Sequence, residues 1–125
     1  MKVLVTGAAG FIGYHVVKKL SHSNIQVVGL DNLNDYYDVN LKLSRLNELG
    51  IDIKSNFFEQ KKIKGKNNVY FYKEDICNTA FIESLFKKEK FDIVIHLAAQ
   101  AGVRYSITNP DAYIDSNIYG FYNIL

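Results

Sequence analysis

Short, unbroken apolar runs alternate along this chain with longer stretches whose apolar positions recur at helical spacing. Lys2 to Thr6 is β-branched and mostly apolar, and Gly7 follows at once. A run of that kind fits a strand buried on both faces, as in a parallel sheet. Phe11, Ile12, Val16, Val17 and Leu20 then predict a helix over residues 11–20. Ile25 to Leu30 predicts a second strand, closed by Asp31, and a turn-rich stretch leads into a helix that starts at Leu41 and stops at Gly50. Val69 to Tyr72 predicts a third strand, Thr79 to Lys88 a helix, and Phe91 to Leu97 a fourth strand centred on Ile93-Val94-Ile95. Asn109-Pro110 opens a last helix, because Asn caps a helix start and Pro suits its first turn. This alternation predicts an α/β fold, a doubly wound parallel sheet with right-handed crossovers. The last helix carries Ile114, Ile118, Phe121 and Leu125 on one stripe that is still running at the final residue. Residues 1–125 are therefore expected to be the amino-terminal part of a domain, truncated after about four strands.

Composition narrows the class without naming a function. Of 125 residues, 48% are hydrophobic, enough for a real core, and 15 basic against 13 acidic residues leave a formal charge of +2. So small a charge gives no basic face for nucleic acid. No apolar run approaches the roughly 20 residues of a membrane span. Cys77 is the single cysteine, and the amino terminus goes straight into a strand pattern, which together give an expectation of a cytoplasmic protein. Residues 51–68, with Lys61, Lys62, Lys64 and Lys66 and the pair Asn67-Asn68, read as the least ordered part, the lysines simply solvated. No clustering of His, Cys and carboxylates supports a metal site.

The chemistry concentrates in Gly7-Ala8-Ala9-Gly10-Phe11-Ile12-Gly13, between the first strand and the first helix. Glycines there allow a tight turn, close approach of backbone to a pyrophosphate, and close helix–strand packing. The helix start adds free N–H groups and the positive end of its dipole. Gly7, Ala9, Gly10, Phe11, Ile12 and Gly13 are thus candidates for binding a dinucleotide. Asp31 lies 18 residues beyond Gly13, where a carboxylate accepts from the ribose hydroxyls. That charge would repel a 2′-phosphate, and no Arg or Lys follows immediately to welcome one, so NAD is favoured over NADP. The plainer alternative for Asp31 is a turn former at a strand end.

The G-x-x-G-x-x-G spacing after Thr6 resembles the extended branch of the short-chain dehydrogenase/reductase superfamily, whose fold is Rossmann-like. That resemblance implies an adenine contact at Asp75 and Ile76, and cofactor contacts at Leu97, Ala98, Ala99 and Gln100 after the fourth strand. Two longer runs are more specific: Asp31-Asn32-Leu33-Asn34-Asp35-Tyr36-Tyr37-Asp38, and His96 through Ala101-Gly102-Val103-Arg104-Tyr105-Ser106. They look like UDP-glucuronate 4-epimerases and related capsule-type nucleotide-sugar epimerases, and the likeness adds Asn32 and Asn34 to the cofactor set. It implies an isomerase of polysaccharide biosynthesis, working by hydride transfer from C4 of the sugar to NAD and back through a 4-keto sugar, with a Tyr–Lys pair moving the proton. Ala101, Gly102 and Val103 would border the sugar, their small size leaving it room to rotate, and Arg104 would pair with an anionic group of the substrate or else form a surface salt bridge. Asn117 would support the site from within the last helix, and His96 would shape the cofactor pocket. The family's dimers pair through the helix beginning near Asn109.

The family's Tyr-x-x-x-Lys is satisfied literally by Tyr14 and Lys18, but these fall in the helix after the glycine loop, at the phosphate end of the cofactor. They read as an ordinary helical pair, so no catalytic residue is assigned within residues 1–125 and the chain alone is expected to be inactive. Two other functions remain open from the residues: a nucleotide-sugar 4,6-dehydratase, and a non-catalytic NAD-binding module.

Overall fold

The computed structural model describes residues 1–53 and 60–125. At its centre is β1 (Lys2–Thr6), whose Val3, Leu4 and Val5 are all buried. It pairs in parallel with β2 (Gln26–Asp31) on one side and with β5 (Ile93–His96) on the other. Beyond β2 lies β4 (Val69–Lys73), again parallel, and beyond that β3 (Ile63–Lys64), antiparallel to β4. The strand order is therefore β3-β4-β2-β1-β5. The alternation of strands and helices predicts this parallel core. The antiparallel β3 is new, and two residues inside a lysine-rich stretch carry no periodic signal by which to find it.

The unbroken apolar runs are explained by two cores, one on each face of the sheet. Val3, Val5 and Val27 point to one face, against α1 (Phe11–Leu20) and α2 (Val39–Glu48), where Tyr14, Val17 and Leu46 meet them. Leu4, Val28 and Leu30 point to the other, against Ile82 and Leu85 of α3 (Thr79–Glu89). Successive strand residues alternate faces, so a strand covered twice must be apolar at every position. Ile51, Ile53 and Ile63 join the first core. The stretch read as least ordered thus anchors the sheet at both ends, while its residues 54–59 lie outside the described part.

After β5 the chain forms α4 (Tyr105–Thr108) and α5 (Pro110–Tyr113), then a π-helical segment, Ile114–Gly120, and α6 (Phe121–Ile124). Asn109 caps α5 as its sequence suggests, its side chain accepting from the Ala112 N–H, with Pro110 in the first turn. The stripe of Ile114, Ile118, Phe121 and Leu125 is exposed.

One buried ion cluster fastens the edge of this sheet. Glu89, 4% exposed, takes the ammonium groups of Lys2 at 2.9 Å and Lys62 at 2.8 Å, and the Tyr72 hydroxyl donates to it at 2.9 Å. Lys62 also lies 4.5 Å from the centre of the Tyr70 ring. Lys62 is therefore not merely solvated, as the lysine-rich composition predicts. Its partner is 27 residues away in sequence, which no local pattern reveals. Burial alone would raise the carboxyl of Glu89, but the donors from Lys62, Lys2 and Tyr72 outweigh it and hold the pKa at about 2.

A group whose pKa falls on folding stabilises above its unfolded value and loses that contribution as pH drops toward the folded one. The Glu89 contribution should thus be complete above about pH 4.5 and vanish toward pH 2. Glu89→Ala strands two cations and a buried hydroxyl, and should cost about 3 kcal/mol in urea unfolding at neutral pH. It should also flatten the acid side of the stability profile, whereas an unchanged profile would mean that other carboxylates govern acid unfolding.

Candidate functional site

The carboxyl ends of β1, β2, β4 and β5 face a cleft, at the point where the chain order departs from β1 in both directions. Ligands of open α/β sheets bind at such a switch point. Gly7 turns the chain there with φ +68°, and a Cβ on it would lie 2.9 Å from the Ala98 nitrogen in the loop after β5. Gly13 allows α1 to settle onto the same turn, since a Cβ there would stand 2.0 Å from the Gly7 carbonyl oxygen. Gly10 begins α1 without any side chain capping the first turn. The N–H groups of that turn remain open to an anion, as a pyrophosphate would require.

Asp31 is locked in place by backbone. Its Oδ2 accepts from the Ala9 N–H at 3.0 Å and its Oδ1 from the Leu33 N–H at 2.8 Å. The second bond holds Leu33 at φ +56°, a left-handed conformation that a leucine adopts only when its surroundings impose it. Lys42, 5% exposed, approaches Asp31 Oδ1 to 3.8 Å and donates to the Asn34 carbonyl at 3.1 Å and to its side-chain oxygen at 2.8 Å. Arg45 reaches from α2 to the Ala9 carbonyl at 3.0 Å and to the Tyr37 hydroxyl at 2.8 Å. Two cations thus brace the acid and the glycine loop. Neither follows Asp31 immediately; α2 brings Lys42 back to the acid and Arg45 back to the glycine loop.

Across the cleft, the Asn32 amide donates to Asp75 Oδ2 at 3.1 Å, and the Cys77 N–H to Asp75 Oδ1 at 2.8 Å. Burial works against the Asp75 charge, yet these donors hold its carboxyl below the ordinary range. The Cys77 thiol itself is pushed up to about 12, by burial first and by Asp75 second, which keeps it protonated at neutral pH. Asn117, in the π-helical segment, pairs with Gln100 like a strand: its Oδ1 accepts from the Gln100 N–H at 2.8 Å and its Nδ2 donates to the Gln100 carbonyl at 3.0 Å. Thr6 fixes the start of that loop. Its buried hydroxyl oxygen accepts from the N–H groups of Leu97 at 3.0 Å and Ala98 at 3.1 Å, leaving its proton for His96 Nδ1 at 2.7 Å. The network assigns His96 the neutral form with its proton on Nε2, and burial lowers its pKa accordingly.

A cavity of about 180 Å³ lies among these loops. Gly7, Gly10, Asp31, Asn32 and Asn34 line it from one side, and Asp75, Ile76, Leu97, Ala98, Ala99 and Gln100 from the other. Tyr36, Tyr37, Lys42, Glu74, Ala101 and Ser116 also line it, none of which the sequence motifs single out for the cofactor. Other candidates stand elsewhere. Ala9 is buried behind Asp31, Gly13 is a packing residue, and the Phe11 and Ile12 side chains are exposed on the first turn of α1. Val103 and Arg104 are exposed on the loop that continues past Ala101. Tyr14 and Lys18 do bond to each other, at 3.2 Å, but Tyr14 donates to Glu48 and neither lines the cavity. Among the described residues no group of three His, Cys, Asp or Glu could hold a metal, and no helix is long and apolar enough to cross a membrane.

The family model described as GDP-mannose 4,6 dehydratase matches residues 4–125. Protein CapI of Staphylococcus aureus is 47% identical over 125 residues, which are 100% of this chain and 33% of that protein. A UDP-glucuronate 4-epimerase of Thermodesulfobacterium geofontis is 47% identical over 122 residues, covering 98% of this chain and 33% of that enzyme. The crystal structure of UDP-glucuronic acid 4-epimerase from Bacillus cereus, in complex with UDP-glucuronic acid and NAD, superposes with a TM-score of 0.73 at 33% identity. That match covers 99% of this chain and 35% of the other. The chain spans about a third of the length of these relatives.

Thr6→Val should leave the Ala98 N–H and His96 Nδ1 without their partner, while the Leu97 N–H keeps only the Thr6 carbonyl at 3.3 Å, at a cost of about 1–3 kcal/mol. Nitrogen-15 spectra of His96 should show the Nε2–H tautomer in the parent protein and a tautomeric mixture in Thr6→Val. A parent imidazole protonated on Nδ1 would contradict the assignment.

Proposed function

This chain belongs to the GDP-mannose 4,6 dehydratase family, and we propose that it forms the cofactor-binding part of an NAD-dependent nucleotide-sugar epimerase. The substrate proposed is UDP-glucuronate, inverted at C4 to UDP-galacturonate. The observation that carries the reading is the Asp31 carboxylate held at the cleft beside the uncapped start of α1. The relatives named as UDP-glucuronate 4-epimerases, and the neighbour solved with UDP-glucuronic acid and NAD, support the substrate class.

Each part of the cleft then has a task. The first-turn N–H groups of α1, at Phe11, Ile12 and Gly13, hold the pyrophosphate, and Gly7 and Gly10 let it approach. Asp31, with Asn32 and Asn34, takes the adenosine ribose, while Asp75 and Ile76 take the adenine. The Asp31 charge disfavours a 2′-phosphate, and Lys42, already bound to Asn34 and Asp31, offers no free cation to offset it. Leu97, Ala98, Ala99 and Gln100, held by Thr6 and Asn117, form the wall against the nicotinamide half. When bound, NAD supplies the position that takes up and returns hydride at the sugar carbon. Val103 borders the sugar and Arg104 pairs with its carboxylate or phosphate. None of residues 1–125 is assigned the proton transfer, so the chain alone is proposed to leave the sugar unchanged. The intact protein is proposed to be a cytoplasmic homodimer, paired through the helices that begin near Asn109.

A nucleotide-sugar 4,6-dehydratase is the second reading, favoured by the description of the matching family model. Mass and NMR analysis of the product separate the two. UDP-glucuronate given to the intact protein should yield its 4-epimer at unchanged mass. A product lighter by one water from a nucleotide hexose, with UDP-glucuronate untouched, would favour the dehydratase instead. Asp31→Ala should weaken NAD binding roughly tenfold or more, the loss of a charge-assisted pair of ribose bonds. Calorimetric titration at equal folded fraction checks this, and unchanged affinity would remove Asp31 from the ribose.

A further inference from the structure

The cleft is bridged by an aromatic contact that neither the glycine loop nor the ribose acid explains. Tyr36 lies in the turn after β2 that also carries Asn32 and Asn34, and it forms part of the cavity wall. Its ring packs on that of Tyr105, the first residue of α4, with centroids 5.0 Å apart. Its hydroxyl sits so close to Gly102 that a Cβ there would stand 2.2 Å from it. Gly102 holds φ +97°, a left-handed conformation that favours glycine. Tyr113 pins the same stretch from behind, its one hydroxyl proton shared between the carbonyls of Ala101 and Gly102, and its ring lies 6.3 Å from Tyr105. The Asn109 amide donates to the Tyr105 hydroxyl at 2.8 Å, so Tyr105 is itself held. The ribose turn and the loop carrying Val103 and Arg104 are thereby joined across the cleft, over a span that strand pairing leaves open.

We propose that Tyr36 and Tyr105 form a clasp that sets how slowly the dinucleotide leaves the cleft. The proposal rests on the dinucleotide reading of the site and adds to it a pair of positioning residues that touch each other. An epimerase must return hydride to the sugar from which it came, so a cofactor lost between the two transfers aborts the cycle. A contact closing the cleft guards against that loss without taking part in the chemistry. Because one arm of the clasp continues into the sugar-facing loop, occupancy there should tighten it, and linkage makes the effect reciprocal.

The test is NAD release from the intact protein, measured by loading it with NAD and chasing with a fluorescent etheno analogue. Tyr36→Ala and Tyr105→Ala should each speed release roughly threefold to tenfold, the scale of losing one aromatic pair. Tyr36→Phe keeps the ring contact and should release at nearly the parent rate. The double alanine variant should be no faster than either single one, because both remove the same contact. UDP-glucuronate should slow release from the parent and have little effect on Tyr36→Ala. Release at the parent rate from Tyr36→Ala, or multiplied effects in the double variant, would overturn the clasp while leaving the cofactor site intact. A parent protein that takes up no NAD at all would instead refute the dinucleotide reading beneath it.

Discussion

The arrangement of this chain hinges on one carboxylate. Asp31 ends β2, and its two oxygens take backbone N–H groups from opposite directions, Ala9 in the glycine loop and Leu33 in the following turn. A buried carboxylate is costly without hydrogen-bond donors, and these two N–H groups supply them. In taking them it fixes both the loop that would cradle a pyrophosphate and the turn that would face a ribose. Lys42 and Arg45 then brace that pair of loops from α2, one beside the acid and the other on the Ala9 carbonyl. On the proposed reading, the carboxylate that would recognise the ribose is the same one that positions the backbone.

The second constraint is closeness. A Cβ at Gly7 or Gly13 would collide with backbone, so the strand ends, the loop after β5 and the start of α1 share a space that admits no side chain. Thr6 uses that closeness, its hydroxyl serving three neighbours at once. From the other side, the π-helical segment places the Asn117 amide on both main-chain groups of Gln100. The wide turn of a π-helix commonly marks a functional position, and here it supplies a strand-like partner to a loop that has none.

What the sequence makes legible follows from how local each signal is. The runs Val3-Leu4-Val5 and Val27-Val28 announce strands covered on two faces, and Gly7, Gly10 and Asp31 carry their chemistry in their spacing. Phe11 and Ile12 are legible only as backbone, because what the motif requires of them is the N–H group, and their side chains turn outward. Lys42 has no motif: it reaches Asp31 only because α2 folds back, as Lys62 reaches Glu89 only through the sheet edge. Tyr14 and Lys18 show the reverse error, a pattern that matches in letters and even in contact while Glu48 occupies the hydroxyl. The Tyr36 contact with Gly102 joins residues far apart in sequence, and only the packed loops reveal it.

A crystal structure of the intact protein with NAD tests the central claim most directly. The expected result places both adenosine ribose hydroxyls within hydrogen-bond distance of Asp31, with the Ala9 and Leu33 bonds to that carboxylate preserved. The pyrophosphate should lie against the first turn of α1. A ribose seated away from Asp31, or a carboxylate that releases Ala9 and Leu33 to bind it, would contradict the account.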